Sequence, residues 1–442
     1  MPQRKKIVIC GAAGRDFHNF NVVYRNDPTV EVVAFTAAQI PGIADRRFPE
    51  SMAGPRYPEG IPIWPEAELG ARCVQQGIDE VVFAYSDVTR DHVMSVAAAA
   101  LAAGANFILL GPKATMLETH KPTIAVCAVR TGCGKSQIAR YIARNLTDAG
   151  KRVAVLRHPM PYGDLARQTV QRFQTLADLD AANCTIEERE EYEPHINSGG
   201  VVFAGVDYNK ILHAAEAEAD IILWDGGNND HPFIKPGYNI VVVDALRPTH
   251  LTTHFPGDSV LLRADLIVAN KVDAASKQQV ATLQHELDRV VPHTPRILAA
   301  SPVRIDTPER LAGARIMIIE DGPTITHGGM PHGAGFQAVQ NLNVAQIVDP
   351  REFATPEIAQ VFAQYPHIGP VLPAMGYSHA QREAMAETIK RSKVDAVVSG
   401  SPIDLAHALA LDIPVIRAHY DYQDLDKPAL MDFVDTYLAD CS

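Results

Sequence analysis

None of the six cysteines, Cys10, Cys73, Cys127, Cys133, Cys184 and Cys441, forms a CxxC pair with another. Their wide dispersal argues against a disulfide framework and against a thiolate zinc site. No window of about 18 apolar residues occurs, so no transmembrane helix is expected. The opening MPQRKKIVICGAAG has too short an apolar run for a secretory signal and passes straight into a strand-and-turn pattern. A cytoplasmic protein is the expectation. An excess of basic residues is also missing. The formal charge of −12 disfavours nonspecific binding of nucleic acid. It leaves room for a phosphorylated small molecule, which needs only local Arg, Lys and amide groups. No internal repeat stands out.

What is present is a 442-residue chain with 47% hydrophobic and 21% charged residues, ordinary globular composition with ample core. Strand-like apolar runs alternate with helical stretches along its length, the pattern of layered α/β domains with parallel sheets. Three units are expected, at 1–118, 119–305 and 306–442. In the first, the runs Lys6–Cys10, Val30–Phe35, Val81–Tyr85 and Phe107–Leu110 read as strands, interrupted by a Pro-rich surface excursion, PGIADRRFPESMAGPRYPEGIPIWP. In the second, strands are expected at 123–129, 153–156, 220–224, 240–243, 265–269 and 297–300.

The strongest motif is the string V-R-T-G-C-G-K-S at Val129–Ser136. It follows the apolar strand TIAVCAV and precedes the helix-compatible run SQIARYIARNL, the order in which a phosphate-binding loop meets the free amides of a helix start. Val129 replaces the first glycine of GxxxxGK[ST]; Gly132 and Gly134 keep the loop flexible. Backbone amides would cradle the phosphates of ATP or GTP, Lys135 would reach the terminal phosphates, and Ser136 would offer its hydroxyl to Mg2+. The strand Ile221–Trp224 runs into Asp225-Gly226-Gly227, making Asp225 the expected acidic partner of the magnesium. Asp230 is either a second acid or a turn residue. Asn270-Lys271-Val272-Asp273 matches an NKxD pattern that contacts nucleotide bases, without separating ATP from GTP.

Arg130, Arg157, His158, Arg247 and His250 gather where sites form in parallel sheets, beyond the carboxyl ends of strands. As a set beside the loop they read as a polyanion pocket. The EEREEYEPH stretch beginning at Glu187 reads as a solvated acidic surface, the alternative being a role in closing the site or holding a second metal. The N-terminal GAAG is a GxxG rather than a full GxGxxG, so dinucleotide binding is only weakly indicated. Arg15, Asp16, His18 and Asn19 form a polar cluster there that reads as a ligand contact. In the third unit, Thr324, Thr326 and His327 follow a Gly-Pro turn and would face the same edge or simply order a loop.

These strings, with GAAGRDFHNFN, WDGGNND, DALRPTH and EDGPTITHGGM, resemble the cyclic 2,3-diphosphoglycerate synthetases. The resemblance implies a Rossmann-like N-terminal domain, a central P-loop domain of dethiobiotin-synthetase-like type, and a small α/β C-terminal domain. It further implies a homodimer that uses ATP and Mg2+ to join the two phosphates of 2,3-diphosphoglycerate into an intramolecular anhydride. Lys135, Arg130, Asp225, Arg157, His158 and Arg247 would then carry the chemistry. Gly132, Gly134, Lys135, Ser136, Asn270, Lys271 and Asp273 would bind nucleotide, and Ser136 and Asp225 the metal. The alternatives are a kinase acting on a small phosphorylated acid such as 2-phosphoglycerate, and an NTPase switch or maturation factor.

Overall fold

The computed structural model describes residues 4–38, 43, 46–158, 165, 167–326, 328–375 and 379–441. His327 and parts of the Pro-rich excursion, 39–42 and 44–45, lie outside these residues. Among the described residues three main sheets form, one per unit.

The N-terminal sheet has the order Arg47–Phe48, Ile61–Pro65, Val30–Ala37, Lys5–Cys10, Glu80–Phe83, Asn106–Leu109. All neighbours are parallel except the short edge pair Arg47–Phe48 with Ile61–Pro65. Both faces are apolar: Ile7 and Ile9 point into one core and Val8 and Cys10 into the other. That is the alternation a strand covered on two sides requires. The Pro-rich segment is therefore partly regular, because Ile61–Pro65 alternates apolar residues and pairs with Val30–Ala37.

The central sheet runs Gln171–Phe173, Val201–Ala204, Val153–Arg157, Ile221–Asp225, Thr123–Ala128, Tyr238–Asp244, Leu266–Asn270, Arg296–Ala300, Gln423–Asp424. Its interior pairs are parallel and both edges are antiparallel. Register brings Asp225 opposite Arg157 and Asp244 opposite Asn270, so the polar residues of four strands end at one level. The helix Lys135–Asp148 buries Ile138, Ile142 and Leu146, one stripe at four-residue spacing, against this sheet.

The last sheet is built on Arg315–Glu320, Ala396–Ser399 and Val415–Tyr420, in parallel. The chain does not end in that unit. Tyr422, Leu430 and Val434 join the central core, and Gln423–Asp424 becomes the edge strand of the central sheet. The boundary expected at 306–442 therefore corresponds to an inserted unit, with the terminal helix Leu430–Asp440 returned to the middle domain. The amphipathic spacing of Leu430, Val434 and Tyr437 needs an apolar face to cover, and the central sheet supplies it.

The N-terminal and central units also interlock. Val88–Thr89 pairs antiparallel with His254–Phe255, and the His18 ring stacks on Phe233 with centroids 4.2 Å apart. Among the described residues no helix is long and apolar enough to cross a membrane.

Candidate active site

A cavity of about 870 Å³ opens above the carboxyl ends of the central strands and is lined by all three units. Its floor is the loop Val129–Ser136. Gly132 and Gly134 lie at positive φ, 79° and 97°, a backbone region that side chains disfavour. A Cβ on Gly134 would also come within 2.2 Å of Asn270 Nδ2, so both its conformation and its surroundings demand glycine. Val129 needs no such freedom: its φ is not positive, its side chain enters the central core, and its carbonyl accepts a hydrogen bond from Asn229 Nδ2 at 3.0 Å.

Lys135 Nζ sits 3.2 Å from Asp225 Oδ1 and also donates to the Gly226 carbonyl. Asp225 is fully buried. Its Oδ2 meets Arg157 Nη1 at 2.5 Å and His195 Nε2 at 3.0 Å. Burial alone would raise this carboxyl, but Arg157, Lys135 and His195 outweigh it and hold it well below the ordinary range. Burial lowers Lys135, and Asp225 opposes that shift. Ser136 lines the cavity in the first turn of the loop helix.

The arginines expected to form an open polyanion pocket are all engaged with carboxylates. Arg130 Nε donates to Asp87 Oδ1 at 2.9 Å and its Nη1 lies between His250 Nδ1 and His254 Nδ1. Arg157 ends its strand rather than following it, and pairs with Glu191 as well as Asp225. Arg247 Nε donates to Asp244 Oδ2 at 3.0 Å. Its two terminal nitrogens tie the loop carbonyl of Thr131, at 2.8 Å, to Gly328 of the C-terminal unit, at 2.9 Å. His158 lines the cavity beside Gly14 and Gly227.

The NKxD residues brace the loop. Asn270 Nδ2 donates to the Cys133 carbonyl at 3.0 Å, and Lys271 Nζ reaches the Gly132 carbonyl at 2.5 Å and Asp244 Oδ2 at 2.9 Å. Asp273 Oδ1 accepts from the Ser301 amide at 2.9 Å. In the N-terminal cluster, Arg15 and Asp16 line the cavity, and Arg15 pairs with Asp230 at 2.6 Å across the domain junction. Asp16 is drawn inward to the amides of Ala13, Gly14 and Phe17, and burial pushes it up to about 7. His18 instead packs in the interior, its Nε2 2.6 Å from the Thr115 carbonyl.

The largest departure from the sequence reading is the helix Ile186–Asn197. The expected solvated acidic surface is absent: Glu187, Glu188, Glu190 and Glu193 are all buried. The helix lies against the loop helix and the C-terminal unit, and it delivers Glu187, Glu190 and Glu191 to the cavity and His195 to Asp225. The buried Ile186, Tyr192 and Ile196 were the sequence signal, obscured by the density of charge between them. The C-terminal unit adds Glu320 and Asp321 at the end of its central strand. Glu320 accepts from the amides of Gly335, at 3.1 Å, and Phe336, at 2.7 Å, and burial pushes it up to about 7. Asp321 caps the turn Gly322–Ile325, and Thr324 of that turn lies beside Gly132.

A floor of phosphate-loop form and buried acids on the facing wall of one cavity fit an ATP-binding enzyme. The chain is 50% identical over 439 residues to the arginine synthetase ArcE of Thermococcus kodakarensis, covering 99% of this chain and 98% of that protein. It is 25% identical over 234 residues to the cyclic 2,3-diphosphoglycerate synthetase of Thermococcus sibiricus, covering 48% of this chain and 53% of that protein. The resemblance to that second enzyme, which the motifs had extended over nearly the whole chain, is thus confined to about half of it. Among solved structures, Aquifex aeolicus LpxK in complex with ATP matches with a TM-score of 0.42 and 13% identity, covering 74% of this chain and 90% of that one. That likeness is too loose to bear on activity. No protein-family model matches the chain.

Proposed function

The chain belongs to the family of the arginine synthetase ArcE, and from that premise we propose that it is an ATP-dependent synthetase that forms the guanidinium group of arginine. The observation that carries this reading is the charge of the cavity. Arg130, Arg157 and Arg247 are each neutralised by a carboxylate, while Glu190, Glu320 and Asp321 have no ion-pair partner among the described residues. Acids raised by burial, as Glu190 and Glu320 are, ionise most readily beside a cation, which suits an amino acid whose product side chain is a cation better than a second polyanion beside ATP.

The chemistry follows from what a guanidinium requires. Its nearest precursor is the ureido group, which differs by an oxygen in place of one nitrogen; L-citrulline is the corresponding amino acid. The ureido oxygen is a poor leaving group. Transfer of the γ-phosphoryl of ATP to that oxygen would release ADP and form a C–O–phosphate bond. Ammonia would then attack the ureido carbon, and the C–O bond would break with release of phosphate and a proton. Loop amides and Lys135 hold the phosphates during transfer. For Lys135 to do so it must leave Asp225, which keeps Arg157 and His195 as partners. Hard oxygen donors at Ser136 and Asp225 Oδ1 fit Mg2+, which binds through one or two protein groups plus phosphates and supplies charge neutralisation when bound. The Arg247 bridge to Gly328 keeps the C-terminal unit over the loop, excluding water that would hydrolyse the activated oxygen.

A second reading, closure of the anhydride of 2,3-diphosphoglycerate, is supported by the relative that matches half of the chain. It requires cationic groups free to hold two dianionic phosphates; the three arginines above are committed elsewhere, and Arg140, which lines the cavity over the Tyr420 ring, would have to serve in their place. One experiment addresses both. Purified protein is given ATP, Mg2+ and either 18O-ureido-labelled L-citrulline with ammonium, or 2,3-diphosphoglycerate. The expected outcome is arginine, ADP and phosphate in equal amounts, with the label in phosphate. Consumption of 2,3-diphosphoglycerate without arginine synthesis overturns the proposal in favour of the second reading.

A further inference from the structure

Glu190 is 5% exposed, lines the cavity, and has one carboxylate oxygen satisfied and the other not. Oε1 accepts the Ser401 hydroxyl at 2.5 Å; Oε2 meets no hydrogen-bond donor. The group nearest in influence is another acid, Asp321, which comes from the C-terminal unit. Burial and that facing carboxylate push Glu190 well up, and Glu187 of the same helix adds to the effect. Arg140 does not neutralise the pair: its guanidinium lies over the Tyr420 ring, 5.7 Å from the centroid, and forms no ion pair among the described residues. Two carboxylates lining one cavity, one of them with a buried oxygen that meets no donor, are costly as a pair of anions unless they share a proton or a cation enters between them. A metal held wholly by side chains is not the answer offered by the donors, since the described residues contain no group of three or more His, Cys, Asp or Glu placed to hold a metal ion.

The location narrows the cation. Asp321 Oδ2 accepts the Thr324 amide at 3.1 Å, and Thr324 carbon and oxygen atoms lie within 3.9 Å of a Cβ placed on Gly132. Asp321 thus lies one turn from a residue that borders the phosphate loop, and Glu190 lines the same cavity, on the side where the reacting end of a phosphorylated substrate would lie. The geometry points to Glu190 and Asp321 as a subsite for an N–H-donating cation at that reacting end, either the guanidinium of the product or the ammonium that supplies its nitrogen. Both sources share the chemistry of a cation whose N–H groups are shared between two carboxylates, for which a guanidinium fork is geometrically suited. The inference rests on the proposed synthetase reaction for the identity of its ligand, while the subsite itself can be tested without turnover.

The test is calorimetric titration of the full chain with arginine, guanidinium chloride, ammonium chloride, glycine and tetramethylammonium chloride. It uses the wild type, Glu190→Gln, Asp321→Asn and Lys135→Ala. Asn at 321 retains a helix-capping side chain, so it carries the test if Glu190→Gln does not fold. Arginine is expected to bind the wild type at least 10-fold more tightly than either carboxylate variant, and Lys135→Ala to bind it as the wild type does. Guanidinium binding that falls in parallel assigns the subsite to the product, and ammonium binding that falls alone assigns it to the nitrogen donor. Binding of arginine within 2-fold of wild type in both carboxylate variants overturns the inference. So does equal binding of glycine, or of tetramethylammonium, which has no N–H to donate. If the protein makes no arginine yet binds it through Glu190, the subsite stands and the proposed reaction falls.

Discussion

The two walls of the cavity treat buried carboxylates in opposite ways. On the phosphate-loop wall each buried acid has a cation: Asp225 has Arg157 and Lys135, Asp244 has Arg247 and Lys271, Asp230 has Arg15. On the facing wall, built by the C-terminal unit together with the helix Ile186–Asn197, Glu320 is held by backbone amides and Glu190 by a serine hydroxyl, and neither has a cation among the described residues. The first arrangement fixes cations beside the site of an anionic nucleotide and makes one of them, Lys135, available to move onto it. The second leaves negative charge for a substrate that arrives positive or becomes so. The proposed synthetase reaction needs both signs in one cavity, and building them on facing walls keeps them from cancelling.

The comparison can be broken most severely at Asp225. Asp225→Asn leaves Arg157 with only Glu191 and removes the charge that His195 and Lys135 face. Breaking a buried pair of this kind costs about 3–5 kcal/mol. The expected result is a thermal unfolding transition lowered by many degrees, with turnover lost. An unchanged transition would mean that the cation-rich wall is stable without its central acid. Lys135→Ala tests the same wall for function: ATP turnover should fall by about 10²–10³-fold, the scale of losing one preorganised donor to a transferring phosphoryl group, while the far-UV spectrum stays the same. Turnover within a few-fold of wild type would remove Lys135 from the reaction. Arg247→Ala, which cuts the link from Thr131 to Gly328, should lower stability by about 1–3 kcal/mol and raise futile ATP hydrolysis relative to coupled synthesis. A ratio of hydrolysis to synthesis equal to wild type would show that the C-terminal unit stays closed without it.

The two walls also differ in how far the sequence disclosed them. The loop, Asp225 and the NKVD segment were legible because each is a short string at the end of an apolar strand, and parallel strands bring their ends to one level. Partnership was legible only in part: Asp244 stands three residues before Arg247, whereas nothing in the spacing said that Asp87 of the N-terminal unit would neutralise Arg130, or Glu191 and Asp225 Arg157, because those contacts depend on tertiary packing. The acidic helix was misread for a related reason. A run such as EEREEYEPH is solvated when its helix has a free side, and this helix has none, being packed against the loop helix and the C-terminal unit. The return of the chain end to the central core was hidden because an amphipathic helix carries no mark of which apolar face it will cover.

The subtlest contrast between the walls is one of sign. Asp225, held well below its ordinary value of 3.8, contributes stability that is present above that value and is lost as acid protonates the folded protein. Glu320 does the reverse. Its folded value of about 7 lies above the ordinary 4.5, so the folded protein binds the proton more tightly than the unfolded chain. Its contribution is complete below pH 4.5, declines as pH rises to about 7, and is constant above that, a loss on the order of 3 kcal/mol. Asp16, raised to about 7 at the domain junction, adds a loss of the same sign over about pH 4–7. Glu320→Gln cannot ionise, so its unfolding midpoint should fall less than that of wild type between pH 5 and 8. The remaining decline belongs to Asp16 together with the other raised acids, Glu190 among them, and should shrink further in the double variant with Asp16→Asn. The check is the midpoint of thermal unfolding at fixed ionic strength, followed across that range for the three proteins. If wild type and Glu320→Gln fall in parallel, Glu320 is ionised at the same pH in both states, and the two walls would no longer differ in the way they hold a buried acid.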